Sequence, residues 1–309
     1  MNGKTDISSC DCVIVGAGPG GLQAAIYLCR YGRDVLILDR GGGRTRHAKR
    51  IENFLTHPLI SGQELIERGM AQAARFGART ERKMVASIEQ GGPERVSDFL
   101  IRTMGAGLYR SKSVIVSSGA QDILPKIENL NKYFAWSFFT CVDCDGYRIR
   151  GKKTAILGNS EATLRLALAV SQMYTKDVTV ILDGYTPPPG YIDELNNEGI
   201  AAIFDGPASL LGDDVLRSME LKSGRRILCD AVLSNYGYRL NDSFLEGLSL
   251  KKDSSGQKYE TNRHFESSIP GLYIVGPLAG SDQAVIAAGE GAMAAIDLNK
   301  RLTELAFGG

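Results

Sequence analysis

Cys141-Val-Asp-Cys144 is the one C-x-x-C in this sequence. Two thiols at that spacing can close a disulfide with little backbone movement, and a helix starting there stabilises a thiolate. Asp145 follows directly. A carboxyl group beside a dithiol can protonate a departing thiolate or hold its proton for the reverse step; it can equally be a first-turn helix acid. Asp143, between the cysteines, adds negative charge that disfavours a thiolate. A zinc site needs a second pair of ligands, and His47, His57, His264 and the other cysteines show no such spacing, so no metal is expected. Cys10, Cys12, Cys29 and Cys229 read as inert thiols. The aromatics just upstream, Trp136, Phe138 and Phe139, suit either a partner surface or core packing.

The second chemical signal is Gly16-Ala-Gly18-Pro-Gly-Gly21, a G-x-G-x-x-G after a strand and opening a helix. Its first glycine makes the tight turn, the second lets the backbone approach a pyrophosphate, and the third lets helix and strand pack closely. The helix N-terminus presents N–H groups and partial positive charge to the phosphates. Asp39 ends the next strand, where an acid can bond both hydroxyls of a ribose. The motif does not distinguish FAD from NAD.

A second copy of this unit is damaged. Gly158-Asn-Ser160-Glu-Ala-Thr163 keeps only the first glycine. Ser160 puts a Cβ where backbone should meet phosphate, and Thr163 puts a branched side chain at the close-packing position. The following strand ends in Leu182-Asp183-Gly184, with no arginine for a 2′-phosphate and an acid that repels one. NADPH is therefore not expected here in the usual way; NADH is less excluded, because an acid suits a free 2′-hydroxyl.

The elements that carry these groups are legible from pattern. Asp11–Gly16 and Val35–Asp39 read as buried strands flanking a helix with Leu22, Ala25, Ile26 and Cys29 on one stripe, a βαβ unit with parallel strands. Lys153–Gly158, Glu161–Tyr174 and Val178–Leu182 repeat it. Val114–Ala120 and Ile269–Gly276 are further buried strands, and a helix rich in Ala and Gly starts near Gln283. The chain has 309 residues, enough for two ordinary domains. A net charge of +1, from 36 Lys+Arg against 35 Asp+Glu, disfavours a nucleic-acid binder. No apolar run approaches the ~18 residues of a membrane span, and the polar Met1–Cys12 leads into a strand without the look of a signal or transit peptide. Six cysteines in a chain this long point to a reducing, cytoplasmic setting rather than a disulfide scaffold.

Together these residues converge on one family. Phe139-Thr-Cys-Val-Asp-Cys-Asp-Gly-Tyr-Arg-Ile-Arg-Gly-Lys-Lys153, leading into a strand and a second Rossmann turn, resembles the low-molecular-weight thioredoxin reductases. The Gly16–Gly21 motif, Glu52-Asn53, Ser118-Gly119, Gly237–Asn241, Ile269-Pro-Gly271, Gly276 and Gln283-Ala284 fit the same family over nearly the whole chain. The resemblance implies an α/β fold of two Rossmann-like, three-layer ββα-type nucleotide-binding domains, the second inserted in the first. An FAD-binding domain is expected from 1–116 with 243–309, and an NAD(P)H-binding-like domain carrying the dithiol over 117–242. It implies that Cys144 faces the flavin and forms a thiolate–flavin pair, that Cys141 attacks the partner's disulfide and that Asp145 is the acid. Asn53, Gly119, Gly276, Gln283 and Ala284 join Gly16, Gly18, Gly21 and Asp39 as implied FAD-binding positions. The family is a homodimer whose inserted domain rotates.

Departures from the family are equally plain. Besides the degraded second motif, the family's flavin-binding Gly-Asp reads Gly276-Pro277, and its arginine before Gln-Ala is Asp282. The leading expectation is a thioredoxin-reductase-like flavoprotein passing two electrons between FAD and Cys141/Cys144 and on to a protein disulfide such as thioredoxin. Its donor is left among NADH, a ferredoxin and another electron carrier. The alternatives are an FAD-dependent oxidase of small-molecule dithiols with oxygen as acceptor and, third, a non-enzymatic flavin redox sensor.

Overall fold

The computed structural model describes residues 8–91 and 98–307. Residues 1–7, part of the polar lead read in the sequence, lie outside them. The chain separates into two units, Met1–Gln121 with Leu240–Gly309, and Asp122–Arg239. The breaks fall at 121/122 and 239/240 rather than at 116/117 and 242/243, because the chain crosses between units within regular strands and not in the turns beside them.

The first unit opens with β1 (Ser8–Val15), α1 (Pro19–Arg30) and β2 (Val35–Leu38). Leu22, Ala25, Ile26 and Cys29 are all buried on one face of α1, as their spacing requires. A short α2 (Arg44–His47) precedes α3 (Gly62–Arg75). Ser61 caps α3, its Oγ accepting from Glu64 N at 3.1 Å, so one orphan donor of the first turn is satisfied. Then come β3 (Arg79–Glu81), β4 (Val85–Gln90), β5 (Phe99–Thr103), β6 (Leu108–Val116) and β7 (Ala120–Asp122). In the seven-stranded sheet the order β3-β2-β1-β6 is parallel and continues antiparallel into β5 and β4. Every residue of β2 is buried, as expected for a parallel strand covered on both faces.

The second unit contains α4 (Leu130–Tyr133), β8 (Phe138–Phe139), α5 (Val142–Asp145), β9 (Thr154–Gly158), α6 (Glu161–Met173), β10 (Val178–Leu182), α7 (Tyr191–Asn197) and β11 (Ala201–Ile203). It is completed by β12 (Pro207–Leu211), β13 (Ser218–Leu221), β14 (Arg226–Leu228) and β15 (Ala231–Asn235). Its parallel sheet runs β11-β10-β9-β15-β8, and β12-β13-β14 form a separate antiparallel sheet. β16 (Tyr238–Leu240) pairs with β7, so the two crossings of the chain form one ribbon.

Back in the first unit, β17 (Leu272–Ile274) pairs with the C-terminal half of β6, and α8 (Ala284–Phe307) closes the fold. α8 reaches α1 through glycines. A Cβ on Gly291 would overlap the carbonyl oxygen of Gly20, and one on Gly20 would lie 2.9 Å from the carbonyl oxygen of Ala287. Two rows of small residues thus let the helices touch backbone to backbone. Among the described residues no helix is long and apolar enough to cross a membrane.

Candidate functional site

In the first unit the glycine turn between β1 and α1 borders a cavity of about 290 Å³. Gly16 has φ +103°, and a Cβ there would overlap the carbonyl oxygen of Ser117. Gly21 is equally confined, its Cβ overlapping the carbonyl oxygen of Gly16. At Gly18 the nearest atom to a Cβ is 3.8 Å away, so this glycine leaves its side open toward the cavity it lines. That is the division of labour a pyrophosphate requires: two glycines for packing and one for access. Gly18 is also the N-cap of α1, and no side chain caps this helix start by a hydrogen bond.

Asp39 lines the same cavity. Its Oδ1 accepts from Ala17 N at 3.0 Å and its Oδ2 from Gly41 N at 3.1 Å. These bonds fix the carboxylate while leaving each oxygen a further lone pair for a ribose hydroxyl. Gly119, Gly276 and Ala284 also line the cavity. Asn53 and Gln283 are not among its lining residues; they meet each other, Asn53 Nδ2 donating to Gln283 Oε1 at 3.3 Å.

The two departures near Gln283 have structural counterparts. Asp282, where the family has arginine, is paired at 2.9 Å with Arg44, which comes from α2 and lines the cavity. At Gly276-Pro277 the backbone is held by Glu290 of α8. Its Oε2 accepts from Gly276 N at 2.5 Å and its Oε1 from Ser281 N at 3.1 Å. Burial raises the Glu290 carboxyl above its usual range, and the Ser281 and Gly276 N–H groups and Lys258 partly oppose this. Sequence reasoning missed Glu290. The one signal was an acid on the small-residue face of a helix, in line with Ala287, Gly291 and Ala294. The glycine cradle, the fixed acid and the cavity fit an adenine dinucleotide, with Asp39 for a ribose and the Gly18 turn for the diphosphate.

In the second unit Cys141 and Cys144 form a disulfide with Cα atoms 5.3 Å apart. Cys141 is the N-cap of α5, and its Sγ accepts from Cys144 N at 3.1 Å. That N–H is placed to stabilise charge on the Cys141 sulfur once the bond opens. Asp145 completes α5, and its Oδ1 accepts from Arg148 Nε at 2.9 Å. Phe138 and Phe139 are 0% and 2% exposed and are core, whereas Trp136 is 59% exposed. Cys10, Cys12, Cys29 and Cys229 are free and buried. Burial raises all four, Cys29 to about 11 and Cys229 to about 12. Among the described residues no group of three His, Cys, Asp or Glu side chains is arranged to hold a metal.

The second glycine turn has a side chain packed into it. A Cβ at Gly158 would overlap Thr163 Oγ1, and Thr163 stands where an intact motif has its third glycine. Asp183, at the end of β10, accepts from Lys222 Nζ at 3.1 Å on Oδ1 and from the Tyr236 hydroxyl at 2.9 Å on Oδ2. Glu161 stands at the first position of α6, where a phosphate would sit, and the Tyr191 hydroxyl and Arg165 hold it below the usual carboxylate range. An anion is thus already installed at that helix terminus.

Residues 10–291 match the family of pyridine nucleotide-disulphide oxidoreductases. The chain belongs to that family. Within it, this protein is a low-molecular-weight, thioredoxin-reductase-like member, and so a flavin-dependent disulphide oxidoreductase. Thioredoxin reductase of Treponema pallidum is 29% identical over 299 residues, covering 92% of this chain and 94% of the relative. That of Aquifex aeolicus is 27% identical over 310 residues, covering 95% and 93%. Among solved structures, HlmI superposes with a TM-score of 0.89 at 28% identity, covering 96% of this chain and 93% of that one. A Bacillus anthracis protein described as the putative thioredoxin reductase TrxB superposes with a TM-score of 0.86 at 25% identity, covering 96% and 99%.

Proposed function

We propose that this oxidoreductase passes two electrons between FAD and the Cys141/Cys144 dithiol, and exchanges them with a protein disulfide of the thioredoxin kind, without NADPH in its usual role. The observation that carries the reading is the Cys141–Cys144 disulfide at the start of α5, with Asp145 adjacent. FAD, when bound, supplies a two-electron store that thiols can fill or draw on. This chain's residues do the rest. The Gly18 turn and Asp39 hold the dinucleotide, with Asn53, Gly119, Gly276, Gln283 and Ala284 completing the flavin-binding set.

In the exchange, the Cys141 thiolate attacks one sulfur of the partner disulfide and the other sulfur leaves as a thiolate, which takes a proton. Cys144 then attacks Cys141 Sγ, restores the intramolecular disulfide and releases the second partner sulfur. Cys141 suits the attacking role because the Cys144 N–H already points at its sulfur. Asp145 is placed to carry the proton in either direction.

Support for excluding NADPH comes from Thr163, packed into the Gly158 turn, and from two carboxylates beside it, Glu161 at the start of α6 and Asp183 after β10. The same feature favours one alternative, an oxidase of small-molecule dithiols, since such an enzyme takes its electrons from thiols and needs no nicotinamide. Stopped-flow measurement under argon, with an oxygen-electrode assay in air, separates the readings. Flavin reduced by dithionite is expected to reoxidise on mixing with oxidised thioredoxin, and Cys141→Ser to abolish this. Oxygen uptake with a small dithiol, and no reaction with thioredoxin, would establish the oxidase instead. Rapid bleaching by NADPH would overturn the donor assignment.

A further inference from the structure

Arg148 is the feature of the dithiol segment that the reaction above leaves unused. Its Nε donates to Asp145 Oδ1 at 2.9 Å, and its guanidinium lies over the Tyr147 ring, 5.0 Å from the centroid. The Arg148 and Asp145 side chains are 14% and 21% exposed, so this ion pair is partly withdrawn from water and weakly screened. Two further carboxylates lie in this stretch of chain or bond to it. Asp143 lies between the cysteines, and Asp122 accepts from Thr140 Oγ1 at 3.1 Å, one residue before Cys141. The nearby titratable hydroxyls are those of Tyr147 and Tyr174, the latter ring packing against Gly146.

A thiolate on Cys141 therefore forms in a segment that carries Asp143 and Asp145, and the Cys144 N–H and the Arg148 guanidinium are positive groups of that same segment. We infer that Arg148 is a positioning residue for the dithiol. It fixes Asp145 in one orientation, and its positive charge favours ionisation of Cys141. Asp145 can then take the proton of the attacking thiol and return it to the departing partner sulfur, so no net proton is lost over the exchange. The cation matters because a neighbouring positive charge favours the thiolate, while it bonds Asp145 at Oδ1 and the proton is handled at Oδ2.

This inference rests on the reading of Cys141 and Cys144 as the exchanging pair, and one experiment tests the two separately. Holoenzyme is reduced with dithiothreitol, desalted under argon and alkylated with iodoacetamide from pH 5 to 10, with labelling at each cysteine read by mass spectrometry. Arg148→Gln is expected to move the midpoint of Cys141 alkylation upward, slowing it at pH 7 by ~3–10-fold while leaving the high-pH plateau unchanged. Arg148→Lys, which keeps the charge, is expected to restore most of the neutral-pH rate. An unmoved midpoint in Arg148→Gln, an equal loss at every pH, or a lysine variant no better than glutamine would overturn the role of Arg148. Wild-type protein unlabelled at both cysteines after reduction would overturn the dithiol reading itself.

Discussion

Asn53 and Gln283 are 230 residues apart in sequence, yet the Asn53 amide donates to the Gln283 side-chain oxygen at 3.3 Å. Gln283 also starts α8 through its carbonyl, which accepts from Ala287 N at 2.9 Å. The bond therefore ties the segment after α2 to the first turn of the C-terminal helix, on the unit that holds the dinucleotide cradle. Asn53→Ala and Gln283→Ala should each weaken FAD retention. Because the two side chains act as one unit, the double variant should lose less than the sum, with a coupling of about 0.5–1 kcal/mol. Flavin fluorescence after ultrafiltration at graded protein concentrations measures all three affinities.

The Gly20–Gly291 contact predicts a stability defect with a functional echo. Gly291→Ala forces a methyl group into the Gly20 carbonyl, so α1 and α8 must separate. Overpacking of this kind costs about 1–3 kcal/mol. The N-terminus of α1 moves with it, so the variant should unfold at lower urea and shed FAD more readily. Gly289→Ala is its control, since a Cβ there meets nothing within 4 Å.

Glu290 predicts a pH dependence. Its carboxyl is raised above 4.5 in the folded protein by burial, so the folded state binds that proton more tightly than the unfolded chain. The proton's contribution to stability is present at low pH and is lost as pH rises from the unfolded value through the folded one. In Glu290→Gln this component should vanish, flattening the pH dependence of urea unfolding above pH 4.5. The amide can accept only through Oε1, so Gly276 N–H or Ser281 N–H loses its partner and the variant should also be less stable at neutral pH.

The second glycine turn predicts a blank result for both nicotinamides. Asp183 keeps a lone pair on each oxygen beside its bonds to Lys222 and Tyr236, but Thr163 in the Gly158 turn and the Glu161 carboxylate at the start of α6 stand against the diphosphate of either nucleotide. Neither NADPH nor NADH should bleach the flavin under argon within the time dithionite needs. Bleaching by NADH alone would show that Asp183 takes a ribose despite its bonds to Lys222 and Tyr236 and that the turn admits a diphosphate.

What could be read in the sequence was local. The Gly16–Gly21 turn, the acid at the end of β2 and the dithiol before a short helix are each set by a few neighbouring residues, and each has the expected surroundings. The pairing of Arg44 with Asp282 could not be read, because it joins α2 to a turn 238 residues later. Lys222, just after β13, and Tyr236, just after β15, likewise reach Asp183 from distant parts of the chain, giving it internal partners that no local pattern shows. Trp136 and Phe138 are two residues apart, yet one is exposed and the other core. Ala135, between Phe134 and Trp136, has φ +65°, a left-handed turn just before β8.

The ribbon of β7 and β16 bears on how such a chain can be assembled. Ile123 N donates to Gly237 O at 3.0 Å, so the segment from 122 to 239 begins and ends at neighbouring points. A module whose termini meet can be cut out and replaced by a short turn, or grafted into another host, without stretching either cut end. The host should survive that deletion as a free-standing dinucleotide binder, and swapping in an insert with an intact second glycine turn would be a direct route to changing the electron donor.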